Sequence, residues 1–309
     1  MLQVTSKLEA KRYLETWHKK NPCPHKLYKW FPLEDFAIQL EQRIESPSSI
    51  NQGDGSYLCG VASFFYNLAE INPLGYTKYA LGLYEKGVGE IPGKLGDTII
   101  IDTKRISRKN LGKSKAFQAP VNKDIPYLDW MTLAIFADWN HTLFPMGKQT
   151  KGNNWNVLNN TLPYEMVKWF KNLGYTIGVD LNSAYTTTQY VTEALTGDEA
   201  FIKKQKASIV AASNYWGREW KVIFFVDSAI TTAAKQAKNA NGDLHKEMDK
   251  RSPTGTHYIT LESCINIHEH SQTMSFSFYD YGDIHKDIHF RLEDFCKHYF
   301  GYLAFKPPF

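Results

Sequence analysis

Cys59 stands at the end of Gln52-Gly53-Asp54-Gly55-Ser56-Tyr57-Leu58-Cys59-Gly60, directly ahead of the apolar run Val61-Ala62-Ser63-Phe64-Phe65-Tyr66-Asn67-Leu68-Ala69. A polar, glycine-rich approach ending in a cysteine that opens a helix suits a nucleophilic thiolate. First-turn N–H groups and the positive helix end both favour negative charge there. A thiolate that attacks carbonyl carbon needs an imidazole partner, a group to orient that imidazole, and donors for the oxyanion. The chain offers a candidate for each.

His257, Ile259 and Leu261 alternate with their neighbours and share one face of a strand, and Phe276, Phe278 and Asp280 share one face of another. If both apolar faces meet a core, His257 and Asp280 lie at strand ends on the same face and edge of an antiparallel hairpin. The link would be His268-Glu269-His270-Ser271-Gln272. Asp280 is then the orienting carboxylate, with Asp283 as the alternative. Gln52 is the natural side-chain donor to the oxyanion, beside the Cys59 backbone N–H.

The elements that must carry these groups change character along the chain. Leu8 to Trp17 and Leu33 to Ile44 have helical spacing, broken by Asn21-Pro22-Cys23-Pro24. The helix after Cys59 should stop near Asn72-Pro73, and a second should run from Gly75 to Tyr84 and end at Gly87. Residues 104–123 have the polar, basic composition of a loop. Tyr127 to Ala137 is nearly all apolar and predicts a buried helix, and Thr161-Leu162-Pro163-Tyr164-Glu165 predicts a helix capped by Thr161 and running to Gly174. Trp220 to Val226 is a buried strand by composition, and Lys235 to Gly255 the main polar excursion. Helices first and strands later predict an α+β fold. A single domain is expected over 1–309: a helical extension over 1–50, a mostly helical lobe over 51–205 and a mostly β lobe over 206–309.

Gln52 ahead of Cys59-Gly60 at a helix start, a distant strand-leading His257, and an acid closing the next strand before Tyr281-Gly282 resemble the papain-like cysteine peptidases. The resemblance implies Gln52 in the oxyanion hole, Cys59 as nucleophile, His257 as base and Asp280 as the orienting acid. It further implies a helical lobe packed on an antiparallel β lobe, and amide hydrolysis through a thioester without metal or organic cofactor. Asn72-Pro73-Leu74-Gly75-Tyr76, Ala80 to Gly87 and Asp129-Trp130-Met131-Thr132 are similar to papain-like toxin domains of bacterial secreted effectors. That likeness implies a protein or peptide substrate, a cognate immunity or inhibitor protein, synthesis in a bacterial cytoplasm, and export by a specialised secretion machine. Two other readings share these residues: a peptidoglycan amidase, deamidase or acyltransferase, and a binding module on a decayed peptidase fold.

Composition narrows the field. The 309 residues carry a net charge of +4, with both signs interspersed, too mild to imply nucleic acid. Hydrophobic residues make up 43% of the chain, enough for a sizeable core. No apolar run is long enough to span a membrane, and the first residues lack the pattern of a secretory signal. The four cysteines are widely separated, so a disulfide framework is not expected. His285 and His289 with Asp283 and Asp287 lack a convincing third metal ligand. The basic run from Lys104 to Lys115 suits a solvated loop, and Gly87-Val88-Gly89-Glu90-Ile91-Pro92-Gly93-Lys94 fits neither nucleotide-binding glycine pattern.

Overall fold

The structure, a computed structural model, describes residues 6–53, 56–93, 97–109, 115–140, 161–181, 199–217, 219–240 and 256–308. It divides into two compact units, Met1–Tyr175 with Pro308–Phe309, and Thr176–Pro307.

The first unit is mainly helical. Helix α1 (Lys7–His18) starts where the Ser6 hydroxyl accepts the Glu9 N–H. Helix α2 (Leu33–Glu45) buries Phe36, Leu40, Arg43 and Ile44 along one stripe. Helix α3 (Cys59–Ile71) has nearly every residue buried, as its apolar sequence requires. Helix α4 (Pro73–Lys86) shows how strongly local chemistry sets an end. Pro73 occupies its first turn, the Asn72 side chain accepts the Gly75 N–H at 2.9 Å, and Gly87 closes it at φ 68°.

Strands β1 (Val88–Pro92) and β2 (Thr98–Asp102) then form a two-stranded antiparallel sheet, followed by α5 (Thr103–Lys109). The helical turn α6 (Tyr127–Asp129) widens into a π-helical segment, Trp130–Ala134, before α7 (Ile135–Asn140). Helix α8 (Pro163–Asn172) completes the unit. Aromatic rings fill the interior: Phe36 stacks on Tyr84 at 4.0 Å, and Phe64 meets Phe136, Trp169 and Phe170.

The second unit is built on one antiparallel sheet: β3 (Thr176–Leu181), β4 (Lys221–Asp227), β5 (Thr256–Leu261), β6 (Asn266–His268), β7 (Thr273–Asp280), β8 (Asp283–Arg291) and β9 (Tyr299–Lys306). The order is β3-β9-β4-β5-β7, with β6 and β8 also pairing with β7. Val222, Phe224, Val226, Ile259, Leu261, Phe276 and Phe278 point from one face into the core. Residues of α9 (Glu199–Ser213), α10 (Ser228–Ala240) and α11 (Leu292–Lys297) pack into the same core. The alternation of the strands is thus realised, and the protein is α+β.

Several expectations need correction. Residues 104–123 are not all loop: α5 and a short 3-10 turn, Lys115–Phe117, occupy part of them. Helix α8 starts at Pro163, and its entry is satisfied by Glu165, whose side chain accepts the Leu162 N–H, rather than by Thr161. Helix α10 extends through 235–240, so the polar excursion is shorter than expected; residues 241–255 lie outside the described residues. In the chain the second unit begins at Thr176, the first residue of β3, which pairs with β9. The tight link at 268–272 joins β6 to β7, not β5 to β7, although β5 and β7 are neighbours.

Candidate functional site

In the first unit Cys59 is the first residue of α3 and is 5% exposed. The N-cap residue, Leu58, offers no capping side chain, and no acid occupies the first turn of the helix. Its opening N–H groups therefore favour an anion. The approach is tightly specified. Tyr57 adopts φ 59°, a left-handed conformation unusual for a side-chain-bearing residue, and the Leu58 N–H donates to Ser56 Oγ at 3.3 Å. A Cβ on Gly60 would come within 2.4 Å of Thr161 Cβ, so glycine is what lets the stretch before α8 lie against the helix start.

Gln52 is buried in the same unit, and the residues on both sides of it are fixed. The Asn51 N–H donates to Asp129 Oδ2 at 2.8 Å. The Asn51 side-chain oxygen accepts the Gly53 N–H at 2.8 Å, and Gly53 turns the chain at φ 68°. Asp129 is itself held by Arg43 in a two-pronged ion pair, Nε to Oδ1 at 3.0 Å and Nη2 to Oδ2 at 2.7 Å. Arg43 Nη1 reaches Ser49 Oγ at 3.0 Å. Burial pushes the Asp129 carboxyl upward while the Arg43 charge pulls it down.

In the second unit His257 and Asp280 meet as alternation predicts. His257 Nε2 lies 2.6 Å from Asp280 Oδ1, with both residues 2% exposed. Beside a carboxylate, Nε2 carries the proton and donates, which leaves the acceptor lone pair of the neutral ring on Nδ1. Asp280 Oδ2 is buried and has no hydrogen-bond partner among the described residues.

Tyr281 and Gly282 form the two-residue turn between β7 and β8, both with positive φ as a type I′ turn requires. The turn brings the Tyr281 ring flat against the imidazole, 5.1 Å between centroids and 10° between planes. Lys235 Nζ sits over the same tyrosine ring, 3.5 Å from its centroid. Asp283 is exposed and accepts its neighbour's N–H, from Ile284, and the carboxylate bonded to His257 is that of Asp280.

The structure thus unites His257 with Asp280 in one unit, and Gln52 and Cys59 reside in the other. Among the described residues no group of three or more His, Cys, Asp or Glu could hold a metal ion. His285 is buried against Phe278, and His289 is exposed beside Asp287. Cys264 is exposed, and Cys296 is buried in the sheet's core, where burial pushes its thiol up to about 12. No described helix is long and apolar enough to cross a membrane.

Sequence reasoning gave no role of their own to Arg43, Asp129, Tyr281 and Lys235. For the first two a signal existed. Arg43 falls on the apolar stripe of α2 beside Leu40 and Ile44, and Asp129 interrupts an apolar run. Buried charges of opposite sign must find partners. The chain matches no protein-family model, and neither a curated protein nor a solved structure gives a match.

Proposed function

We propose that the protein is a cysteine hydrolase of papain-like type that cleaves amide bonds through a thioester acyl-enzyme. The observation that carries this reading is the buried 2.6 Å bond between His257 and Asp280. A histidine fixed by a carboxylate through Nε2, at a strand end, is built to hold and return a proton through Nδ1. Cys59 at a helix start and the buried Gln52 supply the remaining types of group.

The chemistry follows from these groups. The Cys59 sulfur, its proton passed to His257, forms a bond to the carbonyl carbon, and the carbonyl oxygen becomes an oxyanion. The Cys59 N–H and the Gln52 side-chain amide donate to that oxygen. Collapse of the intermediate breaks the C–N bond, and His257 Nδ1–H protonates the departing amine. Water then attacks the thioester, His257 accepts its proton, and the thiolate leaves. Asp280 keeps its bond to Nε2 throughout and stabilises the imidazolium.

The test sets wild type beside Cys59→Ala and His257→Ala on labelled casein and on peptidoglycan fragments, with expression in bacteria to score growth. Turnover of casein that both substitutions reduce to background is the expected result. Turnover of peptidoglycan fragments alone would move the substrate to the cell wall. Absence of Cys59-dependent turnover on either, with Cys59 reacting with iodoacetamide at pH 6 no faster than Cys264, would sink the hydrolase reading in favour of a binding module.

A further inference from the structure

We propose that the buried Arg43–Asp129 ion pair is the positioning device for the oxyanion donor, acting on Gln52 through the main chain of Asn51. The inference rests on the hydrolase reading and adds two residues that touch no reacting atom.

An oxyanion donor must be in place before charge develops, because reorganisation during the reaction forfeits the benefit. Gln52 lies in a segment without regular secondary structure, so no ladder of backbone bonds holds it. Its neighbours are clamped instead. Asp129 Oδ2 accepts both Arg43 Nη2 and the Asn51 N–H. On the other side, Asn51 Oδ1 takes the Gly53 N–H. A Cβ on Gly53 would come within 2.3 Å of Ile125 Cγ1, which shows how closely the segment lies against that side chain. Arg43 extends the clamp upstream through Ser49 Oγ, whose own hydroxyl donates to the Ser46 carbonyl at 2.6 Å.

Stability alone is a poor reason for this arrangement. A buried ion pair is commonly no more stabilising than well-packed apolar residues of similar volume. What an apolar pair would lack is an acceptor for the Asn51 N–H. Asp129 also stands where the helix widens into the π segment Trp130–Ala134, a departure from regular geometry often found at functional sites.

The experiment uses the full chain and whichever substrate, casein or peptidoglycan fragments, wild type turns over. An apolar pair, Arg43→Met with Asp129→Leu, removes the acceptor without leaving a lone charge. A neutral pair, Arg43→Gln with Asp129→Asn, keeps a carbonyl that can accept from Asn51. Both are combined with Gln52→Ala, and Cys59 alkylation by iodoacetamide is followed in parallel.

The apolar pair should lower kcat by about a hundredfold with KM within about twofold, leave Cys59 alkylation unchanged, and cost nothing further when added to Gln52→Ala. The neutral pair should recover most of kcat. Losses that multiply with Gln52→Ala, alkylation that falls in step with kcat, or equal damage from both pairs would overturn the positioning role. Equal damage counts only if thermal melts show the neutral pair folded as wild type; should the apolar pair alone misfold, the neutral pair and the cycle with Gln52→Ala still decide. If wild type shows no Cys59-dependent turnover, the hydrolase reading fails and this inference fails with it.

Discussion

The segment that carries Gln52 and the strand ends that carry His257 and Asp280 are fixed by opposite means. Gln52 depends on contacts distant in sequence: Arg43 reaches Asp129 across 86 positions, and Asp129 reaches back 78 to Asn51. His257 and Asp280 depend on register, because neighbouring antiparallel strands with correctly alternating faces bring their ends together. The first arrangement concentrates risk in one buried pair of charges. The second spreads it over a ladder and a core.

The contrast is broken most severely by removing one charge. Arg43→Ala strands the Asp129 carboxylate in the interior, and a loss of about 3–5 kcal/mol of folding stability is expected in denaturant titration. Asp280→Ala removes an acceptor from an imidazole that can remain neutral. It should cost less than about 2 kcal/mol, yet lower turnover by roughly a thousandfold or more. Similar stability losses in the two variants would erase the distinction.

Two glycines sharpen it at smaller scale. Gly53→Ala must strain a left-handed residue and also displace Ile125, at a cost of about 1–3 kcal/mol. Gly282 lies at φ 80° in its two-residue turn, and Gly282→Ala should cost about 1 kcal/mol in the same titration. A larger loss at Gly282 than at Gly53 would reverse the ranking.

The smallest effect concerns the two buried cysteines, one at a helix start and one near a helix end. With its thiol pushed up to about 12, Cys296 holds roughly one thiolate in ten thousand at pH 8. Mass spectrometry after brief iodoacetamide treatment of the native protein should find Cys59 labelled and Cys296 untouched. Comparable labelling of both would mean that burial does not separate them.

These differences also explain what was legible in the sequence. Period-two spacing placed His257 and Asp280 on one face because each strand carries its own register in its side chains. Helix α4 declared its ends through Asn72, Pro73 and Gly87. The Arg43–Asp129–Asn51 lock was not legible, since each residue is locally unremarkable and acts only once distant helices pack. The β1–β2 sheet was missed because Val88–Pro92 carries two poor strand formers, Gly89 and Pro92, that mask its pattern. Strands β3 and β9 pair residues far apart in the chain, so no local pattern announced where the second unit begins. The papain-like proposal draws on resemblance and on the His257–Asp280 geometry.

Strand β5 is paired with β4 from Thr256 to Thr260, but with β7 only at Thr260 and Leu261. Along this margin the imidazole–carboxylate bond takes over where the rungs between β5 and β7 stop. The seam there is laced by the bond between His257 Nε2 and Asp280 Oδ1 rather than by main-chain rungs. Ring orientation and local mechanical cohesion are therefore coupled at this edge: whatever disturbs the bond between the imidazole and the carboxylate also loosens the margin that presents the histidine.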